Sequence, residues 1–508
     1  MLSKIISAAA KGVDGFIVDV EVNIDAGVPS FEIVGLPDAA VKEARDRVKA
    51  AIRNSGYIFP NRRITVNLAP ADSKKEGSAF DLPIAVGILS AMGMLQREKL
   101  QGSCFLGELS LDGAAKPIKG ALPMALAFAK AGMKRIFLPA DNASEAALVE
   151  SLKVFPVNCL SDIVKHFEYD EPIGAFERTQ ESFDLRSFDI DFSDVKGQSI
   201  VKRALEVAAA GGHNVLIIGP PGTGKSMLAS RLVTIMPPLT LEESLEVTKV
   251  HSVAGLLPRR GGRVYHRPFR SVHHTATTAS LSGGGVIPRP GEISLAHHGI
   301  LYLDELPEFS TKTLDSLRQP LENGEITINR VNAVITYPAR FMLVAGMNPC
   351  PCGYYGSTGV RKCSCRIDTV SKYLQRISGP FLDRIDIQIE AANIEYSELS
   401  KTGGESSAVI AERVRAARDI AVKRFEGLGI SANAHMTPSM FETFCKLGEA
   451  ERAMMNIAFD RLGLNTRGYH KILKMARTIA DLDNNPNIEK RHLSEALTYR
   501  TLDRKYFG

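Results

Sequence analysis

The 508-residue chain contains no run of eighteen apolar residues, so no stretch has the length a helix needs to cross a membrane. A secretory leader is not expected either. The opening MLSKIISAAAKG has only a very short apolar stretch, and Lys11 interrupts it. Charge of one sign is scarce. A net charge of +5 on a chain of this size gives no global basic field, so a nucleic-acid surface would have to be local. Cysteine is sparse, seven in all, but four fall within sixteen residues. That clustering speaks for a metal site rather than disulfides, and places the expected location in a reducing, cytoplasmic compartment. With 44% apolar and 23% charged residues the chain is globular, and its length predicts about three domains.

What is present centres on Gly219-Pro220-Pro221-Gly222-Thr223-Gly224-Lys225-Ser226. The apolar run Val215–Ile218 precedes it, and Met227–Leu232 can continue as a helix. Strand, glycine-rich loop and helix form the context in which GxxxxGK[ST] becomes a phosphate cradle. Glycines let backbone N–H groups turn toward phosphate oxygens, and the helix start adds the positive end of its dipole. Lys225 is expected to neutralise the β- and γ-phosphates of ATP, and the Ser226 hydroxyl to ligate Mg²⁺. Farther on, the apolar run Ile300–Leu303 ends in Asp304 and Glu305. Asp304 is expected to hold Mg²⁺ through water, and Glu305 to polarise the attacking water. A hairpin is predicted from Glu325–Arg330 and Val334–Tyr337, followed by a buried strand over Phe341–Gly346 that leads to Asn348. An asparagine there can bond the γ-phosphate or the water.

Seventy-nine positions separate Lys225 from Asp304, which leaves room for an insertion. From His251 to Gly291 that insertion holds not one acid, and glycine-rich Gly261-Gly262 and Gly283-Gly284-Gly285 predict a flexible loop. Tyr265 and Phe269 are interleaved with arginines, a combination suited to phosphate contact and base stacking on single-stranded nucleic acid. DNA contact is expected of Arg259, Arg260, Arg263, Arg267 and Arg270, with Arg330 of the hairpin; a solvated basic loop or a subunit contact is the alternative. Cys350, Cys352, Cys363 and Cys365 form two C-x-C pairs around ten residues and can close a tetrahedral S₄ site for structural zinc, the alternative being four reduced thiols. From Ser406 the chain reads as helices, with Thr437-Pro438 as one helix start and Thr466 as the cap of another.

Two resemblances follow from longer motifs. ADSKKEGSAFDLPIAVGILSAMG and LGELSLDGAAKPIKGALPMALAFAKAGMKRIFLP resemble the proteolytic domain of Lon and its relatives. Ser78 aligns with that family's nucleophile, but Leu122–Leu126 offers no lysine where the base should lie, and Lys119 falls in the preceding turn. A structural, ring-forming or nucleic-acid-contacting role is therefore expected in place of proteolysis. Second, GPPGTGKS, YLDELPEF, LRQPLENGEITI, GMNPCPCGYYG, SGPFLDRIDI and TRGYHKILKMARTIADL resemble the magnesium-chelatase-like AAA+ ATPases, in the branch associated with bacterial natural transformation.

This second resemblance covers essentially the whole chain. It implies Asn348 as sensor 1, Arg384 as an arginine finger offered to a neighbouring subunit, and Arg467 as sensor 2. A guanidinium supplied across an interface would make hydrolysis depend on assembly. The implied fold is mixed α/β. Residues 1–168 form a Lon-protease-like domain (ribosomal S5 domain 2-like), 169–194 a linker, 195–395 an AAA+ P-loop core, and 396–508 a helical lid. The implied activity is a hexameric ATP- and Mg²⁺-dependent DNA helicase for branch migration in recombination, acting on single-stranded or branched DNA, with a recombinase as candidate partner and no membrane. Three rivals stand beside it: a magnesium-chelatase-type motor acting on a protein, an ATP-dependent protease, and a DNA clamp that uses ATP only for assembly.

Overall fold

The computed structural model describes the chain apart from residues 73, 76, 178–187, 258–261, 286–287, 331–332, 357–360, 394–403 and 508. The chain divides into two compact units, and the division is not sequential. Met1–Phe183 is joined by Leu241–Val264 and Pro288–Pro290; the remainder forms the second unit. Among the described residues no helix is long and apolar enough to cross a membrane.

The first unit is built on a seven-stranded mixed sheet of β1 (Leu2–Lys11), β2 (Asp14–Asp25), β3 (Ser30–Val34), β4 (Arg63–Ala69), β5 (Ser103–Phe105), β6 (Arg135–Pro139) and β7 (Lys153–Val157), in the order β3-β4-β2-β1-β5-β6-β7. Alternation in Phe16–Val22, Phe31–Val34 and Ile64–Leu68 foretells three of these strands. The start of the chain is β1, antiparallel to β2 from Leu2↔Asn23 to Lys11↔Asp14. Its inward face carries Ser3, Ile5 and Ser7, while Leu2 is exposed and Ile6 half-buried. Two serines on the buried face hide the strand's period from hydropathy, and Ser3 satisfies its hydroxyl on the Gly87 carbonyl at 2.6 Å. Apolar spacing over Asp38–Ala51 reads as a helix, and helix Ala39–Asn54 forms there, with the Asp38 carboxylate accepting from the Val41 N–H. Ser78 donates to Glu108, while the stem of Lys119 lies against Gly255.

The helix Leu241–Ala254 belongs to this unit although it follows the phosphate loop in sequence. Its anchor is Glu145, 6% exposed, which accepts from the Leu122 N–H at 2.7 Å and from the Ser252 hydroxyl, with Asn142 on its other oxygen at 3.3 Å. Burial pushes this carboxyl above its ordinary pKa while the three donors pull the other way.

In the second unit a five-stranded sheet comprises β8 (Val215–Ile218), β9 (Phe269–Val272), β10 (Ile300–Leu303), β13 (Met342–Met347) and β14 (Ile387–Glu390). Its order is β9-β10-β13-β8-β14 and every pairing is parallel. Strands VLII, ILYL and MLVAGM are buried at every residue, as continuous apolar runs in a sheet covered on both faces should be. The hairpin between β10 and β13 is β11 (Glu325–Arg330) and β12 (Ala333–Pro338), in register from Glu325↔Pro338 to Arg330↔Ala333. Leu314–Leu321 reads from sequence as one short helix, but the structure has two there, Thr311–Asp315 and Arg318–Asn323.

The C-terminal residues form helices Ser407–Arg424, Pro438–Phe444, Glu449–Leu462, Thr466–Leu482 and Lys490–Thr498. Pro438 takes the first helical turn after Thr437. One cap is corrected: Asn465, not Thr466, receives the Gly468 N–H at 2.7 Å. Asn is the stronger cap type, and its side chain stands one residue earlier, where the backbone is still extended.

Replacing Glu145 by Ala strands the Leu122 N–H and the Ser252 hydroxyl. The variant should lose about 1–3 kcal/mol in urea unfolding. Limited proteolysis should then open residues 241–254 first, and equal cleavage of parent and variant there would contradict the anchor.

Candidate nucleotide-binding site

Parallel strands place their C-terminal ends on one edge of a sheet, and the chemistry gathers at that edge. β8 ends at the glycine-rich loop, β10 at Asp304-Glu305 and β13 at Asn348. In the loop, Gly222 and Gly224 take φ of +79° and +81°, conformations that an L side chain resists, and a Cβ on either would meet nothing within 4 Å. The loop thus faces open space. The helix Lys225–Ile235 starts directly after it. Lys225 Nζ donates to the carbonyls of Gly219 and Pro220, each at 2.9 Å, and to Asn348 Oδ1 at 3.1 Å. Burial lowers its pKa while Asp304 and Glu305 oppose the shift. Ser226 donates to Asp304 Oδ2 at 2.9 Å and accepts from the Tyr302 hydroxyl at 3.1 Å. A hydroxyl and a carboxylate at that separation are the oxygen donors that a hydrated Mg²⁺ accepts, and the lysine stands beside them. Thr223 closes the loop on the Pro220 carbonyl at 2.9 Å, and Gln198 reaches the Thr223 carbonyl at 3.4 Å.

Glu305 sits in the left-handed region at φ +54°. Its carboxylate lies 2.9 Å from His274 Nδ1. Sequence reading missed His274, which reaches Glu305 through the pairing of β9 with β10, and Tyr302, whose strand lies across β13 from β8. It missed Asn214 too, which precedes β8 and ties three segments. Asn214 accepts from the Leu343 N–H at 2.8 Å, donates to the Arg384 carbonyl at 2.8 Å, and offers its own N–H to Asp386 at 3.3 Å.

The two candidate arginines form hydrogen bonds and ion pairs with other groups than Lys225, Ser226, Asp304 and Asn348. Arg384 pairs with Glu322, and burial together with Arg467 and Arg318 lowers its pKa. Arg467 is 61% exposed and pairs with Asp383 at 3.3 Å.

The acid-free insertion is not a single open loop. It runs out of helix Leu241–Ala254 and continues through β9 and the short helix Thr278–Ser282. Arg263 donates to Ser244 at 2.7 Å. Arg267 donates to the carbonyls of Pro237, His298 and Pro238 at 2.6, 2.7 and 3.3 Å. Arg270 forms a two-point ion pair with Glu292 at 2.6 and 2.8 Å. Phe269 stacks on Tyr302 with ring centroids 6.1 Å apart, so it packs the sheet. Arg259 and Arg260 lie outside the described residues, and Arg330 is exposed at the end of β11. The cysteines do converge: Cys350 lies 3.3 Å from Cys352 and 3.7 Å from Cys363, the last two are 3.6 Å apart, and Cys365 completes the group.

Family comparison agrees with this geometry along the chain. Residues 191–399 match "Magnesium chelatase, subunit ChlI", residues 20–142 "Subunit ChlI of Mg-chelatase", and residues 404–500 the C-terminal part of that subunit. Competence protein ComM of Haemophilus influenzae is 44% identical over 513 residues, covering 99% of this chain and 98% of its own. The chain belongs to the magnesium-chelatase-like AAA+ ATPases, in the ComM branch. The uncharacterized protein YifB of Escherichia coli strain K12 is 45% identical, covering 99% of this chain and 98% of its own length. The Magnesium-chelatase 38 kDa subunit of Cereibacter sphaeroides matches more narrowly, 29% identical over 31% of this chain and 52% of its own. Membership in the magnesium-chelatase-like family implies ATP and Mg²⁺ as cofactors and suggests ATPase activity, and the mixed α/β fold with its parallel sheet agrees with it.

Asp386 tests the frame that carries Arg384. Burial raises its pKa, but the neighbouring His213 at 3.5 Å, with Lys471 and Lys474, holds it well below the usual carboxylate range overall. A depressed carboxylate contributes stability above its unfolded pKa of about 4, which is lost as pH falls through the folded value. Asp386→Asn should therefore lower the unfolding midpoint at pH 7. Parent and variant should converge as the pH drops below about 4; a gap that stays constant from pH 7 to 3 would contradict this assignment.

Proposed function

We propose that this chain is the subunit of a ring-shaped, ATP-driven DNA motor, a hexamer that promotes branch migration during recombination of incoming DNA. The observation that carries the reading is the gathering of Lys225, Ser226, Asp304, Glu305 and Asn348 at one sheet edge, in a chain alike over its full length to a protein named for competence. Bound Mg²⁺ supplies charge neutralisation for the transferring phosphoryl group. Around it, Lys225 leaves its carbonyl partners for phosphate oxygens, Ser226 and Asp304 hold the ion's shell, and Glu305 orients the attacking water. Asn348 reports the γ-phosphate. Arg384, released from Glu322, serves the neighbouring subunit's site, and Arg467 follows from the C-terminal helices, which act as a lid.

The first unit is assigned a Lon-like, non-proteolytic role, since Ser78 bonds to a carboxylate and Lys119 lies against Gly255. The four cysteines are assigned one structural zinc, as four thiolates leave no open position for catalysis. DNA contact is assigned to exposed Arg330 and to Arg259 and Arg260; Arg263, Arg267 and Arg270 serve it only on giving up their internal partners. A recombinase is the natural partner class.

A second reading, a chelatase-type motor acting on a protein, draws support from the chelatase-subunit match and from those internally bonded arginines. The two separate in one assay. ATP hydrolysis should rise several-fold with single-stranded or branched DNA and vanish in Lys225→Ala. Robust hydrolysis indifferent to DNA would overturn the DNA motor and favour the protein-directed one.

A further inference from the structure

The cysteine group stands against the phosphate loop. A tetrahedral zinc with Zn–S bonds of about 2.3 Å sets its sulfurs about 3.8 Å apart. The three sulfur separations, 3.3, 3.6 and 3.7 Å, approach that spacing, and all are far too long for a disulfide. Backbone N–H groups turn inward: Tyr355 N–H donates to Cys350 Sγ at 3.3 Å and Cys365 N–H to Cys363 Sγ at 3.4 Å. Donors aimed at sulfur stabilise thiolates, the form that binds metal. Cys350 has no solvent exposure.

From this group three connections run to the nucleotide site. Asn348, which accepts from Lys225, is two residues ahead of Cys350 on the same chain segment. Gly353, at φ +86°, presses on the phosphate loop so closely that a Cβ there would lie 2.4 Å from Pro221 Cδ. Tyr355 sits beside Tyr506, with ring centroids 6.5 Å apart. Tyr506 and Lys505 donate to Glu390 at 3.0 and 2.6 Å, and Glu390 pairs with Ile218, the last residue of β8 before the loop. The thiol centre thus closes a circuit of contacts around the base of the phosphate loop. Beyond the contact of Tyr355 with Tyr506, a metal crosslink through Cys350, Cys352, Cys363 and Cys365 is what would hold Gly353 and Asn348 in place.

We infer that the four-cysteine centre is a brace for the nucleotide site: its zinc sets the positions of Pro221 and Asn348, and ATP affinity depends on the metal being bound. The inference rests on the zinc assignment above. The test uses the full-length protein and reads metal content and ATP binding, not hydrolysis. Metal analysis should return one zinc per chain. Removing it with a chelator under reducing conditions should weaken ATP binding in calorimetry by about tenfold or more, the size of one lost charge-assisted contact, and added zinc should restore it. Gly353→Ala, whose added Cβ meets Pro221, should keep one zinc per chain and the parent's far-UV spectrum yet bind ATP more weakly, which separates displacement of the loop from a general loss of fold. One zinc per chain in the untreated protein, with ATP affinity unchanged once that zinc is removed, would overturn the brace and leave the zinc assignment standing. Absence of zinc from protein purified with zinc supplied would overturn both.

Discussion

Everything in the second unit is arranged around one ammonium group. Lys225 is buried enough for its charge to be disfavoured, yet it is held by two carbonyls and an asparagine, all of which are partners it can exchange for phosphate oxygens. Such a position needs three strand ends to converge, and an all-parallel sheet delivers them: β8 brings the loop, β10 the acids, β13 the asparagine. Tyr302 couples the first two of these, donating to Ser226 beside the loop from the strand that carries Asp304. The same constraint explains why glycine stands at 222 and 224, where positive φ lets the loop curl toward a ligand without a side chain in the way.

Around that centre, polar groups of the second unit work mostly as fasteners. Asn214 bonds β13, the Arg384 carbonyl and Asp386, so the segment carrying the candidate finger is fixed to the strand that leads into the phosphate loop. Buried Asp481 does similar service among the C-terminal helices, receiving Arg424, Arg477 and Asn433. In the first unit Glu145 plays this part for the helix Leu241–Ala254. Each is a carboxylate or amide whose bonds join residues distant in sequence, and such groups are costly to leave unpaired.

What could be read from the chain alone follows from how local the physics is. The phosphate loop, the acid pair and the hairpin announce themselves within a few residues, since backbone conformation and side-chain chemistry there are set by near neighbours. The strand β1 was hidden because serines occupy inward positions and the outward Leu2 and Ile6 imitate an apolar run. Arginine chemistry was the least legible. Arg267 and Arg270 read as free basic charge, but their partners lie 22 to 31 residues away, beyond any local pattern. His274 beside Glu305 was invisible for the same reason: strand pairing, not spacing, brings them together.

In the proposed ring, one subunit's Lys225 site is completed by its neighbour's Arg384, and a subunit-mixing experiment reads this. Arg384→Ala subunits are titrated into the unaltered protein at fixed total concentration, and ATP hydrolysis is measured after the rings exchange subunits. A shared site in a coordinated ring predicts that activity falls more steeply than the fraction of unaltered subunits. A strictly proportional fall, or full activity in Arg384→Ala alone, would contradict it.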